Sequence, residues 1–272
     1  MLVKTAGELL LLHSNKVLIY EKNISHTRLS KLVSPAFSQN TKEGPKMQIP
    51  ARKIEQSYSG DTVITKDKSD PNREYCVIRN AKGQLSAQGS MYKGKKDGVW
   101  REYNNQGGLS RIEEYKNGIK SGASVELTFN NQVSADQTYK NDSLNGQKTT
   151  YNAGGRIRVI ENFSNGILDG PRKSFYDDSK LQEESNYISG KRDGDTKWYF
   201  QSGNVSIEYT YKNGILEGPA KEYDSNGHIK REGQFKNDSE DGEWKMYEDT
   251  VLTKKVIFKG GEIVKEIPVD KK

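Results

Sequence analysis

The sequence predicts an all-β fold: a single-layer antiparallel β-meander built from tandem 24-residue hairpin repeats. Three observations predict it. Six stretches of 24 residues run head to tail over residues 91–234 without an insertion or deletion. Glycine-rich turn dipeptides recur at fixed places in these stretches. Between them, apolar and polar residues alternate at period two, as in half-buried strands. A repeat of this length marks an array of similar units.

Each unit opens on Met91, Tyr115, Tyr139, Phe163, Tyr187, Tyr211 or Phe235. Three residues on lies Gly94, Gly118, Gly166, Gly190 or Gly214, with Asp142 and Asp238 in the other two units. Seven residues on stands a glycine without exception: Gly98, Gly122, Gly146, Gly170, Gly194, Gly218 and Gly242. Twelve on comes Tyr103, Leu127, Tyr151, Phe175, Tyr199, Tyr223 or Tyr247, and eighteen on an aliphatic such as Leu109, Val133 or Ile157. A seventh copy loses one residue before Leu252, and an eighth opens at Phe258-Lys259-Gly260. Glycine reaches φ > 0 without steric cost, so these dipeptides read as turns and the seven invariant glycines as structural turn glycines. Two short strands per unit follow, and neighbouring units pair as a meander. Helix is disfavoured, since interior glycines cost about 1 kcal/mol each there.

These residues also carry a resemblance. The runs Lys93-Gly94-Lys95-Lys96-Asp97-Gly98-Val99-Trp100-Arg101-Glu102-Tyr103 and Lys236-Asn237-Asp238-Ser239-Glu240-Asp241-Gly242-Glu243-Trp244-Lys245-Met246-Tyr247 resemble the bacterial variant of the MORN repeat. The resemblance covers about two thirds of the chain. It lacks the closely spaced Gly-x-Gly of the eukaryotic pattern, so that branch's lipid binding transfers poorly. It implies a non-enzymatic binding scaffold with a protein partner, a toxin neutralised by an antitoxin or immunity partner among the options. It brings no catalytic residues.

Along the chain, residues 1–56 read as a basic, poorly ordered arm and linker. Within them, residues 1–30 read as a hairpin, a short helix or a damaged export signal, and localisation stays open. Three prolines (Pro35, Pro45, Pro50) among polar residues mark the stretch 34–56 as linker. Residues 57–90 read as a degenerate half-repeat that caps the first sheet edge, with a short strand near Thr62 and with Gly83 and Leu85 in repeat phase. Repeats then occupy residues 91–269, with Pro268 in the last strand. The tail 270–272 blunts that edge.

Composition narrows the function. Hydrophobic residues make up 32% of the chain, which suits a thin sheet better than a thick core. Of the net charge of +6, residues 1–90 carry all: 14 Lys+Arg against 8 Asp+Glu, with the remaining residues balanced. A nucleic-acid groove would need that excess on the repeats, which argues against nucleic acid. The basic arm leaves a membrane-surface module, meeting anionic lipid, as the alternative to protein binding. One cysteine, Cys76, excludes an internal disulfide and reads as a buried apolar residue.

No catalytic, cofactor or metal site is expected. The histidines His13, His26 and His228 lie far apart, without metal-ligand spacing. The acidic pairs Glu113-Glu114, Asp177-Asp178 and Glu183-Glu184, read as adjacent strand residues, point to opposite faces and so read as solvated charge. Neither a P-loop nor a dinucleotide-binding fingerprint occurs. The candidate binding residues are aromatics: Trp100, Tyr103, Tyr151, Tyr199, Tyr223, Trp244 and Tyr247. Each reads foremost as one rung of a self-packing ladder. The sheet as a whole must still leave a face open, and tyrosine and tryptophan suit a protein partner. Oligomeric state is not legible. A stability order is: Gly170→Val should cost more than Gly242→Val, and Ser189→Val, at a turn position without a required glycine, should be milder than either.

Overall fold

The computed structural model describes residues 60–269, together with four short strands between residues 3 and 17. The chain divides into two units, Met1–Lys46 and Met47–Lys272. In the first, Val3–Thr5 pairs with Glu8–Leu10 and Leu12–His13 with Lys16–Val17, so two small ladders lie where a hairpin was one of three readings. The linker 34–56, the order of the arm and the tail 270–272 fall outside the described residues.

The second unit is one antiparallel sheet of twenty strand segments, and no helix occurs among its described residues. Sequence neighbours are sheet neighbours, except that Ile167–Leu168 and Gly170–Phe175 both pair with Ile157–Ser164, and Lys191–Arg192 and Gly194–Tyr199 both pair with Leu181–Ile188, each as halves of one interrupted strand. The hairpin of residues 91–116 shows the plan: Lys95–Tyr103 pairs on one side with Leu85–Tyr92 and on the other with Leu109–Lys116. Ahead of the repeats, Thr62–Lys66 pairs with Arg73–Arg79, which pairs with Leu85–Tyr92. At the far end Val251–Lys259 pairs with Glu262–Pro268. Among the described residues no pairing joins Thr62–Lys66 to Glu262–Pro268. The sheet is therefore an open meander, not a barrel.

Two kinds of turn alternate. Near the start of each unit runs a two-residue turn with both φ values positive: Asn117 at 51° and Gly118 at 85°, Asn213 at 53° and Gly214 at 90°. That is the type I′ geometry whose twist matches antiparallel strands. Asp142 and Asp238 take the glycine's place at φ 63°, and each carboxylate accepts from a backbone N–H of the preceding unit, at Lys120 and Leu216. Within units the longer turn is often held by an Asn or Asp. Asn104 Oδ1 accepts from the N–H groups of Gln106 and Gly108, and Asp224 Oδ1 from those of Asn226 and His228.

The seven invariant glycines are not turn residues, which corrects the sequence reading. Gly98, Gly122, Gly146, Gly170, Gly194, Gly218 and Gly242 lie in the first strand of each hairpin at φ between 75° and 123°. The ladder breaks there: partners jump from Lys120↔Tyr115 to Ser124↔Glu113 across Gly122. A left-handed residue at a β-bulge bends the strand and leaves backbone groups free of the ladder. The next turn fills that gap. The Gly118 N–H donates to the Lys96 carbonyl at 2.7 Å, and Gly214 does the same to Arg192 at 2.8 Å. The residue before the bulge glycine adds a clamp: Asp97, Asp193 and Glu217 accept from the N–H of Asn117, Asn213 and Asn237. Ser189 needs a correction as well. Its φ is 50°, so this turn position does make a left-handed demand.

Burial on one layer is thin, and apolar burial gathers at the two ends. Near the first, Cys76, Ile78, Ala87 and Trp100 form one cluster, flanked by Met91 and Tyr115. Near the last, Ala220, Trp244, Val256 and Phe258 form another, flanked by Tyr209, Phe235 and Met246. Between them polar groups make up most of the buried residues, Ser124, Gln137, Thr149, Ser174, Glu183, Ser185 and Thr196, against the apolar Ala135, Leu144, Tyr211 and Leu216.

Candidate functional site: the two faces of the sheet

Side chains directly opposite one another on paired strands share a face, so the pairings sort each unit into two faces. One holds the residues 0, 5, 9, 11, 20 and 22 places from the unit's start, and the other those at 10, 12 and 21. The expected aromatic ladder is split by this rule, because places 9 and 12 differ by an odd number. Trp100 and Trp244 stand on the first face. Tyr103, Tyr151, Tyr199, Tyr223 and Tyr247 stand on the second.

On the first face the tryptophans are lids rather than open contacts. Trp100 is 2% exposed and Trp244 0%. Each lies over a glycine on the neighbouring strand: a Cβ at Gly89 would come within 2.6 Å of the Trp100 ring, and one at Gly233 would strike Trp244. Their indole N–H groups donate to the carbonyls of Ser90 and Gln234. An edge-to-face run continues from Trp244 through Phe235 and Tyr209 to Trp198, with centroids 5.1 to 5.9 Å apart. The cross-strand Gly–Trp pairing was the available signal in the sequence, and Trp198, Tyr209 and Phe235 were missed.

The same face buries charge. Glu113 is 3% exposed and accepts from Tyr115 Oη and Lys120 Nζ, while Arg111 bridges it to Glu102. Burial works against the Glu113 charge, yet Lys120, Tyr115 and Arg111 hold its pKa below the usual carboxylate value. Glu183 is gripped by Arg172 at 3.1 Å and Arg192 at 2.6 Å, and Arg192 lies among the rings of Tyr187, Trp198 and Tyr211. Arg231 joins Glu222 and Glu240 and lies 4.7 Å from the Trp244 centroid. Glu113 and Glu183 are therefore not the solvated charges expected. Their neighbours Glu114 and Glu184 do stand on the opposite face.

On the second face one contact recurs with a spacing of fifteen residues. The hydroxyls of Tyr151, Tyr199, Tyr223 and Tyr247 donate to Asp136, Glu184, Glu208 and Glu232 on the preceding strand, and Gln88 Nε2 donates to Tyr103 Oη. Lysines flank the acids: Lys197 lies 3.0 Å from Glu208 and Lys245 3.1 Å from Glu232. Burial, and then the carboxylate beside it, pushes Tyr223 up to about 12. Glu232 is held low, first by the Tyr247 hydroxyl and then by Lys245 despite some burial. Each ring is thus half-buried and pinned at its tip, an aromatic surface with little rotamer freedom left to lose.

Other candidates separate. Cys76 is buried and its thiol is pushed up, chiefly by desolvation. His228 lies exposed at a turn beside Asp224. Among the described residues no group of three potential ligands could hold a metal ion, and no helix is long and apolar enough to cross a membrane. Along the edge of type I′ turns, Ile119, Ile167, Ile188 and Ile215 are exposed, and Lys116, Lys140, Lys212 and Lys236 are exposed beside them.

A search of curated proteins returns no match to the chain. A family model described as MORN repeat variant matches residues 96–117, 168–189, 192–213 and 216–237. Each window starts two residues before a bulge glycine and ends at the first residue of the next type I′ turn, so the family unit is one hairpin with its clamp. The units between the matched windows continue the same pairing without a break. The chain thus carries MORN repeat variants, set in one open sheet as a repeat scaffold.

Proposed function

We propose that this protein is a non-enzymatic scaffold that binds a protein partner on the tyrosine face of its sheet. One observation carries the reading: Tyr103, Tyr151, Tyr199, Tyr223 and Tyr247 recur on a single face, each tied at its hydroxyl. Rigid aromatics amid mixed charge suit protein recognition, because ordering them on binding costs little. The partner's identity rests on the family resemblance, which suggests a toxin neutralised by capture. The non-enzymatic part rests on the sequence, where no set of residues converges on a substrate atom; turnover above background in a hydrolase screen would sink it. The main test is capture from a native lysate by the wild-type chain and by a Tyr151→Ser/Tyr199→Ser/Tyr223→Ser variant. Loss of a captured protein, with folding retained by circular dichroism, supports the tyrosine face. Equal capture by both chains refutes it. For the toxin reading, the captured protein should arrest growth when expressed alone and be silenced by co-expression.

The exposed isoleucines and lysines along the turn edge favour a second reading, contact with an anionic lipid surface. Sedimentation with phosphatidylserine vesicles separates the two. Salt-sensitive binding lost on Ile119→Ser/Ile167→Ser/Ile215→Ser supports lipid contact at that edge, whereas loss on deleting residues 1–56 moves the contact to the arm.

A further inference from the structure

The two outermost strands of the sheet fit each other. Glu262–Pro268 occupies the place of a hairpin's first strand, and among the described residues it pairs only with Val251–Lys259. Thr62–Lys66 occupies the place of a second strand, and among the described residues it pairs only with Arg73–Arg79. Its register says so: Thr62↔Ile78 and Ile64↔Cys76 repeat the alignment of Ala87↔Glu102 and Gly89↔Trp100. Among the described residues one end lacks a second strand beside it, and the other lacks a first.

The side chains on these strands agree with that. Val63 and Ile64 are 53% and 50% exposed, and Ile263 and Val264 are 57% and 62% exposed. Ile64 stands opposite Cys76, a member of one apolar cluster, and Ile263 opposite Phe258, a member of the other. Both clusters lie on the first face, since Cys76, Trp100 and Trp244 hold the same place in their units. Placing one end against the other would extend the two clusters into one. Unpaired N–H and C=O groups along an exposed apolar strand are a template for another strand.

We propose that the occupant of these edges is a second copy of this chain, joined head to tail, with Thr62–Lys66 of one copy pairing antiparallel to Glu262–Pro268 of the next. The junction repeats the first-strand to second-strand contact made inside every hairpin of the sheet, so it continues an interface already present. It is heterologous and does not close on itself by symmetry, so copies add in a line. Five residues of strand bury little area, and Pro268 has no N–H to offer a partner. The association is accordingly weak and concentration-dependent.

Sedimentation velocity of the full chain, from about 1 μM to about 1 mM, tests this against the range of weak affinities. The wild type should shift progressively to larger species. Val63→Lys/Ile64→Lys should block one edge and Ile263→Lys/Val264→Lys the other; all four positions are exposed, and circular dichroism reports that each variant is folded. Each variant alone should stay monomeric, while an equimolar mixture should stop at a dimer. A wild type that is monomeric throughout overturns the proposal. So does either variant that still dimerises alone, since that shows like edges or another surface pairing.

Discussion

The ends and the middle of the sheet share one repeat and bury different things. At the ends, Trp100 and Trp244 close over glycines, and Cys76, Ile78, Val256 and Phe258 surround them. In the middle the same place holds Ser124 and Thr196, each 1% exposed, and the Glu183–Arg172–Arg192 network gathers charge on the same face. The difference has a physical reading. A unit inside an array is held by two interfaces and an outer unit by one. Apolar burial at the outer units offsets the missing interface, while the interior tolerates polar residues because its neighbours on both sides shield them.

The largest expected effect tests this contrast directly. Trp244→Ala should cost roughly 3–5 kcal/mol in urea unfolding, the range for a buried aromatic truncated in place. Thr196→Val, at the equivalent place in the middle, should change stability by less than about 1 kcal/mol, because its buried hydroxyl has no partner among the described residues. Equal losses would dissolve the distinction between ends and middle.

Next in size is the charge network of the middle. Glu183→Gln leaves Arg172 and Arg192 without their shared carboxylate, at a cost of about 1.5–3 kcal/mol for hydrogen bonds to charged groups. Arg192 would keep its aromatic surroundings, so a loss at the low end says that the rings, not the carboxylate, hold it. The double variant with Arg192→Met should recover part of the loss in the same unfolding experiment.

Glycine substitutions sharpen the picture of the shared frame. Gly218→Val meets left-handed strain of roughly 1–2 kcal/mol, and its Cβ would also stand 3.3 Å from the Thr210 Cβ. At Gly242 the nearest atom is the flexible amide of Gln234, so Gly242→Val should be the milder bulge substitution. Ser189→Val, first expected to be milder than the glycine substitutions, should cost a similar 1–2 kcal/mol because φ there is 50°. Thermal unfolding of the three variants orders them, and a silent Ser189→Val would break the type I′ assignment.

The smallest effects per group are those of pH. Glu113, Glu208, Glu222 and Glu232 are held below the usual carboxylate range, so their contribution is complete above about pH 4.3 and is lost as pH falls through the lower folded values. The tyrosines run the other way. The folded values of Tyr151, Tyr199, Tyr223 and Tyr247 are raised, chiefly by burial, so their contribution is complete below about pH 10 and falls as pH rises toward the folded value of about 12 at Tyr223. Phenolate absorbance should therefore rise together with loss of strand signal between those limits. Early titration of the row without unfolding would mean that the hydroxyls are free.

Much of the fold was legible because it is local. Turn dipeptides, period-two alternation and a constant spacing all act within one hairpin, and Asn117-Gly118 or Asn213-Gly214 need no distant partner to turn. Less of the candidate face was legible. Trp100 and Tyr103 look alike in a strand three residues apart, but that odd spacing puts them on opposite sides. Glu113 and Glu114 read as one acidic pair, although burial and partners set them apart. The bulge role of Gly122 was hidden because a turn and a bulge ask the same thing of a residue, a positive φ.

By itself, then, the sequence determined the unit: its length, its two strands, its left-handed positions and its all-β character, since each follows from the steric preferences of residues close in the chain. Only the tertiary structure decided what those units present. Which glycines make bulges depends on the next unit's turn docking on a freed carbonyl. Which tyrosines are pinned depends on carboxylates fifteen residues away, across a strand boundary. Which charges are buried depends on side chains leaning over them from both flanking strands. These contacts arise between strands, where register chooses the partners, and no single repeat contains them.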